Sequence, residues 1–252
     1  MIEYAVSTNP GGLHDCYFYH SSDLPKSGEI QGSWDLRGRF DEYLGNIDFA
    51  GKRALDVGCA SGFLTFEMEK RGAEVVSVDA SSIDQINFLP FKSFWDNFEH
   101  WKQAGGETLR QMKNSYWLSH QELGSRAKAY YGDIYRMPKS LGTFDVVVIA
   151  QILVHLRDPI EALRSAADRS SDTLIIAEGM IDDEGNRSMR FLGSANGSPA
   201  ATWWHLTTGL YREVLTMMEF DIVSKHTAPY RCNDANQDIP ITTLVAKRKS
   251  NS

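Results

Sequence analysis

The chain has 252 residues, of which 23% are charged, and a formal net charge of −7. This length and composition predict one globular domain with insertions. The acidic balance argues against a nucleic-acid partner, because phosphate contacts need clustered Lys and Arg. Three cysteines without metal-like spacing favour a reducing cytoplasm and give no metal site. We expect neither a leader peptide nor a membrane span, and a homo-oligomer stays open.

Residues 1–50 are predicted to form an N-terminal arm that caps the remaining domain, residues 51–252. Residues 1–33 are rich in Gly, Ser, Pro and aromatic side chains and have no clear period. The stretch 34–45 has apolar residues near helical spacing and ends at a glycine, which predicts a helix. The arm residues that could close over a ligand site are His20, Trp34 and Arg37.

Five apolar runs alternate with helical patterns and predict a parallel sheet with both faces covered. The runs are 53–58, 73–81, 127–134, 144–151 and 172–179. A long polar loop follows the fifth run. A helix around 206–218 and strands near 220–226 and 241–246 then complete the fold. The expected fold class is α/β, with a doubly wound, mostly parallel sheet of seven strands.

Two helices carry N-terminal signals. Ser61 is the predicted cap of a helix over 62–70. Asp158 caps the second helix, with Pro159 at its first position and Glu161 completing a capping box.

The connection over residues 82–126 is far longer than usual between neighbouring strands. Aromatic residues within 91–101 fall on one helical face, and Gly105 and Gly106 precede a second helical run. These features predict a helical hairpin inserted at about 82–126. Two interpretations stay open: an apolar stripe packed on the sheet, and a lid formed by residues 88–118.

The run "DVGCASG" at 56–62 joins the first strand to its helix. Gly58 and Gly62 allow close backbone approach, and ligands bind beyond the carboxyl ends of open parallel sheets. The second strand ends at Asp79, whose carboxylate could accept both hydroxyls of a ribose. The dinucleotide pattern G-x-G-x-x-G is absent, so the loop suits a nucleoside ligand without a pyrophosphate.

Four ordered motifs between about 51 and 178 resemble those of the class I S-adenosylmethionine-dependent methyltransferases. They are "LDVGCASG", in which Ala60 replaces the middle glycine, "VVSVDAS", "YYGDIYRMP" and "FDVVVIAQILVHLRDP". The resemblance implies a Rossmann-like fold and S-adenosylmethionine as cofactor. It places Asp79 on the ribose, Asp133 on the adenine amine and Ile134 beside the adenine ring. The cofactor contacts that it implies are Asp56, Gly58, Cys59, Ala60, Gly62, Asp79, Ala80, Ser81, Asp133, Ile134, Ala150 and Gln151.

A closer resemblance is to the branch around the tRNA wobble-uridine carboxymethyltransferases. It rests on "GKRALDVGCASGFLTFEMEKRGAEVVSVDAS" and "WWHLTTGLYREVLTMMEF". That branch uses a carboxylated cofactor, whereas ordinary S-adenosylmethionine is the expectation here. Two alternatives to a small-molecule methyltransferase stay open: a tRNA-modifying enzyme and a non-catalytic cofactor-binding partner subunit. A basic groove would favour the first, formed by Arg126, Lys128, Arg136 and Lys139.

A hydroxyl acceptor usually needs a base, which an amine acceptor does not. His155, in the turn after the fourth strand, is the first candidate, and His205 is the second. His155 has a structural alternative, a histidine of the cap region that is hydrogen-bonded to the backbone. The tryptophans beside His205 could form an aromatic wall for the substrate or pack in the core. Ala150 occupies the place where a metal-dependent O-methyltransferase would need an acid. The predicted substrate contacts are Trp34, Arg37, Glu178, Trp203 and Trp204.

Overall fold

The computed structural model describes residues 2–8, 10–86, 98–194 and 202–250. The strands in this part of the chain are β1 (Ser22–Leu24), β2 (Gly28–Ile30), β3 (Trp34–Asp35), β4 (Arg53–Val57), β5 (Glu74–Asp79), β6 (Lys128–Tyr131), β7 (Phe144–Ala150), β8 (Ser170–Glu178), β9 (Met189–Phe191), β10 (Trp204–Leu206), β11 (Phe220–Cys232) and β12 (Gln237–Arg248). The α-helices are α1 (Phe40–Tyr43), α2 (Phe63–Lys70), α3 (Phe98–Leu123), α4 (Pro159–Ala167) and α5 (Thr208–Met217).

One mixed sheet organises the fold, with strand order β3-β11-β12-β8-β7-β4-β5-β6. Strands β4 to β8 run parallel, and β11 and β12 form a long antiparallel hairpin at one side. The predicted α/β class and seven-stranded, mostly parallel sheet are confirmed. The arm adds β3 as an eighth, two-residue edge strand, paired with the end of β11.

The apolar runs are continuous because helices cover both faces of the sheet. In β7, Val146 and Val148 pack into one buried cluster, while Val147 and Ile149 pack into the other. Alternate side chains of a strand point to opposite faces, so both sets must be apolar. The carboxyl ends of these rigid, buried strands therefore form a fixed edge on which a ligand site can be built.

The predicted helix over 34–45 is wrong in its first half. Gly38 has a φ of +70°, which breaks the helical path, and the helix covers only Phe40–Tyr43. Trp34 pairs instead with Cys232 of β11. The apolar spacing came from packing of the arm against the sheet, and a two-residue edge strand leaves no periodic pattern.

The two predicted helix caps have different outcomes. Asp158 accepts a hydrogen bond from the Glu161 N–H at 3.0 Å, as expected. Ser61 is not a cap, because Gly62 follows it with a φ of +88° and is itself the residue before α2. The Ser61 hydroxyl oxygen instead accepts N–H groups from the arm.

From residue 98 to residue 123 the insertion is one continuous helix, so the hairpin turn predicted at Gly105 and Gly106 is wrong. α3 runs for 26 residues through both glycines. A Cβ on Gly105 would lie 2.9 Å from Ile83 Cδ1, so glycine permits close approach rather than a turn. Residues 88–97 of the predicted lid lie outside the described residues.

The polar segment after β8 is more ordered than expected. β9 pairs antiparallel with β10 in a small separate sheet. Residues 195–201 between them lie outside the described residues. No helix in the described ranges is long and apolar enough to cross a membrane.

Candidate active site

A cavity of about 360 Å³ lies at the carboxyl ends of β4, β5 and β7. This is the edge at which open parallel sheets bind ligands. Most residues that the sequence singled out for cofactor contact meet there. The predicted residues in its lining are His20, Gly58, Cys59, Ala60, Asp79, Ala80, Ile134, Ala150, Gln151 and His155.

Asp79 is held at the rim by the backbone around it. One carboxylate oxygen accepts the Ala60 N–H at 2.8 Å, and the other accepts the Ala80 N–H at 2.7 Å. Burial raises the pKa of Asp79, and these two amide hydrogen bonds oppose that rise. The side chain is therefore fixed in orientation, as a residue that reads a ligand's hydroxyls must be.

The glycine loop needs unusual backbone conformations at three places. Gly58, Ala60 and Gly62 have φ values of +82°, +48° and +88°. A Cβ on Gly58 would lie 3.1 Å from Ile152 Cγ1 at the cavity wall. A Cβ on Gly62 would lie 2.5 Å from Phe66, so Gly62 serves packing beneath the loop. Ala60 stands in the left-handed region, where the family pattern has glycine.

Asp56 lies behind the loop and outside the cavity lining. It is buried and accepts the Thr65 hydroxyl at 2.6 Å. Thr65 is also 2.8 Å from the Ser77 hydroxyl, which is 3.0 Å from the Tyr116 hydroxyl of α3. Burial raises the pKa of Asp56 to about 7. This network of hydrogen bonds joins β4, α2, β5 and α3.

Two further predicted contacts, Asp133 and Ser81, are absent from the cavity lining. The Asp133 carboxylate accepts the Tyr135 N–H at 2.9 Å and so begins the turn that carries Ile134. The Ser81 N–H donates to Gln85 at 2.7 Å. In this structure both residues shape the rim by local hydrogen bonds.

Glu178 holds the loop after β7 by hydrogen bonds to its backbone. It is fully buried, and one oxygen accepts the N–H groups of Ile152 and Leu153 at 2.8 Å each. Its other oxygen has no hydrogen-bond partner among the described residues. Burial raises the pKa of Glu178 to about 8. Glu178 therefore positions the turn that bears Gln151 and His155 and is not part of the cavity lining.

Only one of the two predicted catalytic histidines lines the cavity. His155 lies in a short 3-10 turn, is half-buried and lines the cavity. His205 lies on β10, and its Nε2 would be 3.9 Å from a Cβ on Gly179. Burial and Arg190 lower the pKa of His205, which is absent from the cavity lining.

The adjacent tryptophans pack beneath the turn that carries His155. Trp203 is fully buried and stacks on Phe191, with ring centroids 6.5 Å apart. The Trp204 indole N–H donates to the Leu156 carbonyl at 2.9 Å. Packing is thus the role that the structure gives this pair.

The arm covers the cavity with residues other than the predicted Trp34 and Arg37. Arg37 donates to Asp35 and Asp23, both at 2.7 Å, and faces a separate groove. The arm residues in the cavity lining are Tyr19, His20 and Tyr43. Sequence reasoning missed both tyrosines, for which the abundance of aromatic residues in the arm was the one signal.

The insertion forms the opposite wall. Gly105, Thr108, Leu109 and Met112 of α3 line the cavity together with Ile83. Further along α3, Tyr116 and Trp117 are buried against the sheet. Both interpretations of the insertion therefore apply, each to a different part of the same helix. Within the described ranges, no group of three or more His, Cys, Asp or Glu residues could hold a metal ion.

Comparison with known proteins identifies the class. Residues 35–192 match a family described as a methyltransferase domain, so the chain belongs to that family. A ubiquinone biosynthesis O-methyltransferase of Ruegeria pomeroyi is 31% identical over 53% of this chain and 43% of its own. A tRNA U34 carboxymethyltransferase of Pseudomonas aeruginosa is 26% identical over 56% of this chain and 35% of its own. The chain thus matches less than half the length of these two relatives.

Solved structures share the fold. Magnesium protoporphyrin IX methyltransferase from Synechocystis, solved with S-adenosylhomocysteine, gives a TM-score of 0.54 at 14% identity over 83% of this chain and 80% of its own. An O-methyltransferase family protein from Burkholderia thailandensis gives 0.52 at 14% identity over 86% and 57%. The fold and family are those of the class I S-adenosylmethionine-dependent methyltransferases, whose shared cofactor is S-adenosylmethionine.

Proposed function

We propose that this protein transfers the methyl group of S-adenosylmethionine to a hydroxyl oxygen of a small molecule. One observation carries the proposal: the glycine loop and Asp79 share a single cavity with Tyr19, His20, Tyr43 and His155. A donor held by the first set would lie beside the second set. The same cavity can therefore hold both reactants, as methyl transfer requires.

The residues present fit the donor. Gly58 keeps the loop open where a Cβ would crowd Ile152, and Asp79 offers a fixed carboxylate for ribose hydroxyls. Ile134 supplies an apolar surface at the rim for the adenine ring. When bound, the cofactor supplies a methyl group activated by a sulfonium. The chain itself supplies orientation and a place from which water is excluded.

The acceptor side is apolar with few polar groups, which suits a small molecule. Leu64, Leu109, Met112 and Leu156 contribute to the lining. The relative from Ruegeria pomeroyi is named as an O-methyltransferase, which supports oxygen as the acceptor atom. His155, predicted from the sequence as the base for such a hydroxyl, lies in the lining with a second imidazole, that of His20.

The test is transfer of labelled methyl groups from S-adenosylmethionine to catechol, aniline and benzoate as probe acceptors. Labelled methyl on the catechol oxygen is the expected product. Gly58→Val, which would place a branched side chain against Ile152, should abolish transfer. Arg164→Gln is the matched control, because Arg164 pairs with Glu161 and Asp168 on the surface of α4. Transfer to aniline alone, or to no probe, would contradict the proposal.

An RNA acceptor is the second possibility, because one relative is named for tRNA. Two residues of the predicted basic groove have acidic neighbours. The backbone N–H of Arg126 donates to the Glu69 carboxylate, and Lys128 Nζ lies 3.6 Å from Glu74 Oε1. We therefore expect no specific, salt-sensitive tRNA band in a gel-shift experiment at physiological salt. Such a band would replace the small-molecule proposal by an RNA-modifying one.

A further inference from the structure

One histidine of the cavity was not assigned a catalytic role by its sequence position. His20 lines the cavity and its side chain is almost entirely enclosed, with 8% of the residue exposed. Its Nδ1 is buried and has no hydrogen-bond partner among the described residues. Burial lowers the pKa of His20 to about 4, so the imidazole is neutral at neutral pH. A neutral imidazole always has one nitrogen that can accept a hydrogen bond.

The ring is held in place from both sides. Tyr19 meets it edge-on, with centroids 5.0 Å apart, and Phe63 of α2 lies 5.6 Å away. These neighbours fix the ring by packing, without a carboxylate that would favour the charged form. The imidazole is therefore preorganised in a dry place, where an unmet hydrogen bond is costly.

The backbone of His20 is tied directly to the glycine loop. The N–H groups of Tyr19 and His20 donate to the Ser61 hydroxyl oxygen at 3.2 and 3.3 Å. A Cβ on Gly32 would lie 2.3 Å from the His20 carbonyl carbon, so the next turn of the arm packs tightly behind it. The arm thus places this imidazole in a fixed position relative to the loop that would hold the donor.

Resting on the proposed function, we propose that His20 is a catalytic residue that accepts a hydrogen bond from the hydroxyl of a neutral phenol-class acceptor and takes its proton during methyl transfer. As the carbon–oxygen bond forms, the carbon–sulfur bond breaks and leaves a neutral thioether. The hydroxyl proton, made acidic as the oxygen gains the methyl group, moves to the imidazole and from there to water after the product leaves. A flat, uncharged acceptor suits the aromatic surroundings of Tyr19 and Tyr43.

The test combines a binding readout with turnover. The full-length protein, labelled with ¹⁵N in its histidine rings and saturated with S-adenosylhomocysteine, is titrated with catechol and observed by NMR. His20→Gln assigns the His20 signals by their loss. We expect catechol to shift these signals saturably. We also expect His20→Gln to weaken catechol binding at least tenfold while changing S-adenosylhomocysteine affinity less than threefold.

In turnover with catechol, His20→Gln should lower the rate by about 10²-fold or more, the usual effect of losing a positioned base. His226→Gln is the matched control, because His226 lies on the surface beside Glu42. Circular dichroism of both variants checks that the fold is intact. Should His20→Gln misfold, His20→Phe, which keeps an aromatic ring packed between Tyr19 and Phe63, takes over both the assignment and the turnover test.

The possible results separate this inference from the proposed function. Unmoved His20 signals at saturating catechol, or a turnover loss below threefold in folded His20→Gln, would overturn the assignment of His20. Shifted signals without methyl transfer in the wild type would support His20 as the hydroxyl-binding residue and overturn the proposed reaction. Shifted signals together with the turnover loss would support both.

Discussion

The arm and the insertion cover the same cavity but are attached to the sheet in different ways. At the cavity, the arm is tied to the glycine loop by main-chain groups, because the Tyr19 and His20 amides donate to the Ser61 hydroxyl oxygen, while its later residues, such as Phe40, pack in the core. The insertion is attached mainly by side-chain volume, with Tyr116 fully buried against α2 and β5.

This difference in attachment matches the kind of side chain that each segment contributes to the cavity lining. The arm brings polar rings, whose positions must be accurate to be useful in chemistry. The α3 helix brings mostly apolar surface, which needs to fill space and exclude water. We therefore expect damage to the insertion to appear first as lost stability, and damage to the arm to appear first as lost chemistry.

The largest effect should come from removing the main side-chain anchor of the insertion. Tyr116→Ala should lower the free energy of unfolding by about 3–5 kcal/mol, because it leaves a cavity the size of an aromatic ring. Tyr116→Phe loses one hydrogen bond to Ser77 and should cost about 1 kcal/mol. Urea denaturation measures both. Equal losses would mean that hydrogen bonding, and not volume, attaches this helix.

Asp79 lies between the arm and α3, and the effect of removing its carboxylate can be measured through cofactor binding. It accepts the Ala60 N–H on the loop beneath the arm, and Lys113 of α3 attracts its charge. Asp79→Ala should weaken S-adenosylmethionine binding by about 1.5–3 kcal/mol, the range for hydrogen bonds to a charged group. Calorimetry checks this, with Asp84→Ala on the exposed 3-10 turn as control. Unchanged affinity in Asp79→Ala would remove the ribose assignment.

Ser61 tests the main-chain attachment of the arm. Ser61→Ala leaves two amides without their acceptor and should cost about 1–2 kcal/mol. Hydrogen exchange at residues 17–22 should become faster while α3 keeps its protection. Ser119→Ala is the matched control, because Ser119 is equally buried but its hydroxyl has no partner among the described residues. A similar loss of stability in both variants would show that the Ser61 hydrogen bonds do not attach the arm to the loop.

The buried acid beneath the arm predicts a pH dependence of stability. Burial holds the pKa of Glu178 near 8, whereas an unfolded glutamate titrates near 4.3. Between these values the folded protein binds the extra proton, so stability falls as pH rises, by at most about 1.4 kcal/mol per pH unit. Glu178→Gln should flatten this fall between pH 6 and 8. Parallel stability curves in urea for the two proteins would show that Glu178 is already ionised when folded.

The smallest effect concerns the glycines of α3. Gly106→Ala should stabilise the protein by about 0.5–1 kcal/mol, because alanine has the higher helix propensity. The added Cβ fits, since it would lie 3.9 Å from Ile83. Gly105→Ala should gain less, since its Cβ would lie 2.9 Å from Ile83 Cδ1. Thermal unfolding compares the pair. An equal gain in stability at both positions would show that the Ile83 side chain can move away. The close approach of α3 to Ile83 would then not require glycine at position 105.

The sequence by itself determined the parallel sheet, the family and the positions of the glycine loop, Asp79 and Ile134. These features are local: a strand buried on both faces must be continuously apolar, and a loop beneath a ligand must be small. The Asp158 cap was readable for the same reason, since its hydrogen bond spans three residues.

Only the tertiary structure decided which side chains line the wall opposite the glycine loop. Of the three arm residues that the sequence named, His20 alone reaches the cavity, and Tyr19 and Tyr43 join it because Ser61 and β11 fix the path of the arm, contacts that are distant in sequence. Trp203 and Glu178 have suitable chemistry but are directed into packing and support. An irregular segment has no period, so its direction depends on the surfaces that it meets. For this reason the sequence could place the glycine loop and Asp79 at one edge of the cavity, and only the fold could place the wall opposite them.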